Sequence, residues 1–196
     1  MIIVDVKSGS PAKWHSIQAA AYWLAWKEGN TEGVTFDAEK HQYFYNGTQV
    51  PGVSIILRET KRQPSYDGFN PFYAQKGSYV HRSIELEVAG KLDSTTVDER
   101  VLPYLVGFRT FCESYKPVIH ETEKIVYHPK HGYAGTYDLL ITVPGYDDGM
   151  ALLYLGKDET YKWKYLTGDK YNNAMDEWMK TLAEYHSMKA MAELWG

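Results

Sequence analysis

The chain has 196 residues, enough for one ample domain or two small ones, and its 44% apolar and 23% charged residues match an ordinary soluble globular protein. A formal net charge of −4 argues against a nucleic-acid binder held by a broad basic surface, and a single cysteine, Cys112, rules out an internal disulfide framework. No apolar run approaches the roughly 18 residues of a membrane span, and "MIIVDVK" is too short and lacks the basic leader of a signal peptide, so no membrane partner and an intracellular, cytoplasmic setting are expected.

Residues 2–7 are a continuous β-branched apolar run and predict a strand buried on both faces. Ser10-Pro11 supplies a helix start, and the helix runs to about Lys27 and stops at Gly29. After the polar linker 29–33, the pattern alternates and contains Asn46-Gly47, which predicts a β-hairpin or meander from 34 to 50 within a β-hairpin region reaching 57. Residues 58–70 read as a basic loop with proline and glycine. Helices follow over 71–89, ending at Gly90, and over 98–115, ending before Pro117, with Cys112 expected as a small buried residue. Residues 121–143 predict two strands around a turn at 128–132. Residues 151–166 predict a second hairpin, and 169–195 one long amphipathic helix. The order β-α-ββ-α-α-ββ-ββ-α describes a mixed α/β or α+β fold, a single domain over 1–196.

Three stretches carry chemistry. Asp5 and Lys7, two apart on a strand, point to the same face, where an acid and a base are costly unless paired or bound. On the helix that follows, Gln18 and Tyr22 share a face one turn apart. In "GYAGTYDLLI", Gly132 and Gly135 relax the backbone ahead of Asp138, a carboxylate inside an apolar run that calls for a nearby cation. In "KGSYVHRSIELEVAG", His81 and Glu85 stand at i, i+4 on one helix face. "HPKH" at 128–131 reads as a polar turn rather than a metal pair.

Taken together, "GSYVHRSIE", "GTYD", "DVK" and "QAAAY" resemble the motifs of the PD-(D/E)xK nuclease superfamily, in its RecB-like branch of phage-type exonucleases. There a helical G-x-x-x-H-x-x-x-E precedes a G-x-x-D strand, a (D/E)-x-K strand and a Q-x-x-x-Y helix. Here the last two come first, within residues 1–28, and the remaining core follows over 71–196. The resemblance therefore implies a restriction-endonuclease-like core, a central mixed β-sheet flanked by helices, with permuted strand order. The strand could return to its place within the chain, pair with another copy in a homo-oligomer or strand-swapped dimer, or reflect a rearrangement by design.

The resemblance implies a metal-dependent nuclease, a DNA exonuclease of phage or prophage recombination or repair, leaving 5′-phosphates. His81, Asp138, Asp5 and the Val6 carbonyl would ligate Mg²⁺ or Mn²⁺. Lys7 would position the attacking water and stabilise charge on phosphorus, or act as a base; Gln18 would hold water or phosphate, and Tyr22 would support that face. Glu85, and Glu123 at the expected strand start, are candidates for a second metal or the surrounding shell. Lys61, Arg62, Lys76 and Arg82 are the expected DNA contacts. The alternative is a catalytically inactive nucleic-acid-binding or structural module that keeps the fold.

Overall fold

A computed structural model of the protein describes residues 1–64 and 71–195. The apolar run at the start forms β1 (Ile2–Lys7), buried along all but its last residue. It is followed by α1 (Lys13–Glu28), which begins two residues beyond Pro11 rather than at it, within the ordinary play of a helix end. A meander of β2 (Val34–Asp37), β3 (Gln42–Tyr45) and β4 (Thr48–Val50) comes next. Asn46 and Gly47 both have positive φ, as the two-residue turn between β3 and β4 requires.

The β-region expected to reach 57 ends sooner. Val53–Glu59 is a helix, α2, with Val53, Ile56 and Leu57 buried at helical spacing. A short apolar run behind Pro51-Gly52 fits strand and helix equally well on pattern alone, and tertiary burial of one face decides it. The basic loop expected at 58–70 accordingly begins inside α2, and residues 65–70 of it lie outside the described residues. Two helices follow, α3 (Pro71–Val88) and, after a 3-10 turn at Ser94–Thr96, α4 (Leu102–Tyr115). Cys112 on α4 is half-buried rather than enclosed. Then come β5 (Val118–His128), β6 (Tyr133–Thr142), β7 (Gly149–Leu155), β8 (Tyr161–Leu166) and α5 (Asp169–Trp195). Within the described residues no helix is long and apolar enough to cross a membrane.

The fold is mixed α/β, with a five-stranded mixed sheet in the order β5-β6-β1-β7-β8. The first strand of the chain is the middle strand of the sheet. It runs antiparallel to β6 (Val4 opposite Leu139) and parallel to β7 (Asp5 beside Leu152, Lys7 beside Tyr154), both of its own chain.

The chain divides into two compact units. The first takes Met1–Ala12, the described part of Tyr66–Lys124, and Tyr137–Leu166. Its core sets Val4, Val6, Leu139 and Leu153 of the sheet against Val80 and Ile84 of α3 and Leu105, Phe108 and Phe111 of α4. The second takes the described parts of Lys13–Ser65, Ile125–Thr136 and Thr167–Gly196, with α1, α2 and α5 packed together. There Trp178 Nε1 donates to Tyr133 Oη at 3.2 Å, and Tyr133 Oη donates to the Ala21 carbonyl at 2.9 Å. A smaller cluster joins Tyr43, Tyr127 and Ala134 to the meander.

Candidate metal centre

The candidate centre is built wholly within the first unit, from β1, α3, β5 and β6. α3 delivers His81 from its third turn. A Cβ at Gly77 would stand 3.7 Å from Ser8 Oγ, so the helix passes close to the end of β1. His81 Nδ1 lies 3.2 Å from Asp138 Oδ1 and 3.2 Å from Glu123 Oε1. One ligand atom from each of His81, Glu123 and Asp138 falls within 4.8 Å of the others, the single such group among the described residues. Asp138 is fixed by the backbone: its Oδ2 accepts a hydrogen bond from the Val6 N–H. The Val6 N–H thus meets the cluster by holding one of its carboxylates.

Asp5 is 2% exposed, and its Oδ1 lies 2.7 Å from Lys7 Nζ. Its Oδ2 is buried with no hydrogen-bond partner in the protein. A carboxylate oxygen left in that condition is expensive unless a cation or a donor meets it.

The electrostatics follow from burial and crowding. Burial pushes the Asp5 carboxyl up to about 7; Lys7 opposes this and Asp138 adds to it. Burial also works against a charged Asp138, but His81, Lys7 and the Val6 N–H outweigh it and hold Asp138 below its ordinary value. Burial disfavours the His81 imidazolium as well, yet the Asp138 and Glu123 carboxylates overcome it and raise His81 well above its ordinary value. Glu123 is raised, by burial first and then by Asp138 and Glu85, against the pull of His81. Several acids thus share one small volume with one imidazole and one lysine, an arrangement that a divalent cation relieves.

The donor set fits a hard cation. The carboxylates of Asp138 and Glu123 and one imidazole nitrogen of His81 are the ligand types that suit Mg²⁺ and, with histidine present, Mn²⁺. Asp5, expected as a ligand, lies outside this close group; its charge acts on Asp138, and its unpaired Oδ2 is the further oxygen that the first strand brings.

Glu123 departs from the sequence expectation. It lies inside the eleven-residue β5 rather than at its start, because β5 begins at Val118. It adopts φ 47°, a left-handed conformation unusual for a non-glycine residue within a strand. Strain of this kind collects at functional sites, where the surroundings hold it in place. Glu85 lines the same cleft as His81 and Glu123, but its carboxylate is bridged by Arg82 at 2.5 Å.

The remaining expected residues are distributed as follows. Gln18 and Tyr22 lie on α1 in the second unit, where Gln18 Nε2 donates to Tyr22 Oη at 2.8 Å. Of the four basic residues, Arg82 is bridged by Glu85, Arg62 lies 2.5 Å from Glu184, and Lys76 Nζ donates to Tyr104 Oη at 2.7 Å. Lys61 stands exposed at φ 57° behind α2. His128 is the buried last residue of β5 rather than part of a solvated turn, with its Nε2 3.6 Å from Glu28; the turn itself begins at Pro129.

Tyr154 escaped sequence reasoning. It is the register partner of Lys7 on β7, and its hydroxyl is pushed up to about 12, by burial and then by the charge of Asp5. β7 is buried at every residue, so no alternation marks which of its side chains face the centre. A scan against protein-family models found none that matches the chain, and no curated protein matches it either.

Proposed function

We propose that this protein is a metal-dependent nuclease of the PD-(D/E)xK type in which the D-x-K strand stands first in the chain, a phosphodiester hydrolase acting on DNA as a phage-type exonuclease. The observation that carries this reading is the orphaned Oδ2 of buried Asp5, on the strand hydrogen-bonded beside the one that bears Asp138. The pairing of β1 with β6 supports it further, since a permuted member of the superfamily needs its D-x-K strand next to its G-x-x-D strand. On this reading the five-stranded sheet is the restriction-endonuclease-like core.

His81, Asp138, Asp5 and Glu123 would hold the ion, Mg²⁺ or Mn²⁺. Its contribution when bound is to acidify a water and to neutralise the scissile phosphate. The protein's own groups do the rest. Lys7 is held by Asp5 Oδ1, so its ammonium is oriented before substrate arrives; it aligns the nucleophile and stabilises charge building on phosphorus. Asp5 uses one oxygen on Lys7, and its unpaired Oδ2 is the one that would be offered to the ion. The Val6 N–H fixes the rotamer of Asp138, and Glu123 and Asp138 together orient the His81 ring.

The test is cleavage of end-labelled linear DNA and of closed circular DNA with Mn²⁺, Mg²⁺ or EDTA, comparing the protein with its Lys7→Ala variant. Metal-dependent cutting that leaves 5′-phosphates, spares the circle and is lost in Lys7→Ala is the expected result. No cutting with either metal would overturn this reading in favour of a nucleic-acid-binding module.

A further inference from the structure

β8 is one edge of the sheet, and its register ties it to the proposed centre. Lys164 stands opposite Leu152, which lies beside Asp5; Lys162 stands opposite Tyr154, which lies beside Lys7. Residues in one lateral row of a sheet project to the same face. Two rows therefore run from β1 to the edge, Asp5–Leu152–Lys164 and Lys7–Tyr154–Lys162, both within the first unit. The alternation of β8 fixes this placement. Tyr161, Trp163 and Tyr165 pack against the core formed with α4, which leaves the two lysines on the other face, that of Asp5 and Lys7.

The charge is available there. Lys162 is exposed and Lys164 half-buried, and neither has a carboxylate partner among the described residues. Arg82, Arg62 and Lys76 are already engaged. Two strand spacings put each lysine's Cα about 10 Å from its counterpart on β1. At about 3.4 Å of rise per nucleotide in each strand, that is about three nucleotides.

We propose that Lys162 and Lys164 bind the phosphate backbone of the nucleic-acid substrate about three nucleotides from the bond that is cut. The inference rests on the nuclease reading above and deepens it: the substrate is a strand several nucleotides long, held along the β8 edge. A small diester cannot span from the centre to these lysines, so only long substrates gain from them.

The experiment compares the protein, its Lys162→Ala/Lys164→Ala variant and the charge-matched control Lys91→Ala/Lys116→Ala, on two Mn²⁺-dependent reactions. One substrate is a 12-nucleotide single strand and the other bis(p-nitrophenyl) phosphate. The β8 variant should raise KM for the oligonucleotide about tenfold at 0.15 M salt and flatten the dependence of log(kcat/KM) on log salt by about 1.4. Its hydrolysis of the small diester should match the unmodified protein, which also shows that the variant is folded. The control should change neither reaction. An oligonucleotide KM and salt slope unchanged in the β8 variant, or changed equally in the control, overturn this inference and leave the nuclease reading standing. Failure of the unmodified protein to hydrolyse either substrate overturns both.

Discussion

The Val6 backbone N–H donates to Asp138 Oδ2 across 132 residues of sequence. One hydrogen bond thus ties the strand that carries Asp5 and Lys7 to the carboxylate that meets His81. The same contact pairs a buried donor with a buried acceptor, so neither is left unsatisfied, and it helps offset the cost of burying the Asp138 charge. Neither half of the centre is complete without the other.

Divalent metal should stabilise the protein, and more so at higher pH. With EDTA, His81 is raised well above its ordinary value, Glu123 is raised and Asp5 lies at about 7, so a cation must displace protons that the folded protein holds. The signs for the EDTA-treated protein run the same way. The contribution of His81 is full below its ordinary value of 6.5 and is lost as pH rises through its raised folded value, and that of Asp5 is full below 3.8 and is lost as pH rises through about 7. Asp138 acts oppositely, its contribution being present above 3.8 and lost only as pH falls through its lowered folded value. Thermal melts with Mn²⁺ at about 100 times Kd should gain about 2.7 kcal/mol, or about 5–10 °C, at pH 8. The gain should shrink clearly at pH 6. An equal gain at both pH values would mean that the ion binds elsewhere.

Removing Lys7 should expose the buried charge of Asp5. Lys7→Ala in EDTA should lose up to about 3 kcal/mol at pH 8, because the partner of a 2% exposed carboxylate has gone. At pH 6 the loss should be smaller, since Asp5 then takes up a proton. The double change Asp5→Asn/Lys7→Met should cost less than Lys7→Ala alone at pH 8, a coupling that urea melts will read.

Glu123 should reveal its backbone strain when glycine and alanine are compared. Both substitutions remove the carboxylate, so both should weaken stabilisation by Mn²⁺. Only glycine adopts φ 47° without a Cβ penalty, so Glu123→Gly should be more stable than Glu123→Ala by about 1 kcal/mol. Equal stability of the two variants in denaturant melts would show that β5 relaxes out of the left-handed conformation.

Gly135 should tolerate no side chain. An added Cβ would stand 2.5 Å from Cε1 of Tyr22 and 3.1 Å from Cγ2 of Val53, in the interior of the second unit. Gly135→Ala should therefore lose about 1–3 kcal/mol by overpacking. Shaving the ring in Tyr22→Leu/Gly135→Ala should recover part of that loss, and additive losses in the pair would refute the close approach as the cause.

The candidate centre was unevenly legible in the chain. Asp5, Lys7, His81 and Asp138 each stood out as a polar residue with local dressing, a charge inside an apolar run or a pair at helical spacing. Glu123 was visible only as a residue near a strand, because its left-handed conformation depends on how β5 is held rather than on its neighbours in sequence. Tyr154 was hidden by the uniform burial of β7. α2 was misread because the four apolar residues of Val53–Leu57, behind a proline and a glycine, satisfy both periods.

The sequence by itself determined the local elements. The periods of 2 and 3.6, the Asn46-Gly47 turn and the glycine and proline stops act over a few residues, and β1, α3, α4, β7, β8 and α5 follow from them. Only the tertiary structure decided which strands are neighbours. A β-strand leaves its hydrogen-bonding groups open along both edges, and nothing within Ile2–Lys7 says which partners will close them. The order β5-β6-β1-β7-β8 settles it, and with it the meeting of Asp5 and Lys7 with Asp138 and the alignment of Lys162 and Lys164 with them. Tertiary packing likewise decides that Arg62 meets Glu184 and Lys76 meets Tyr104, partners distant in sequence.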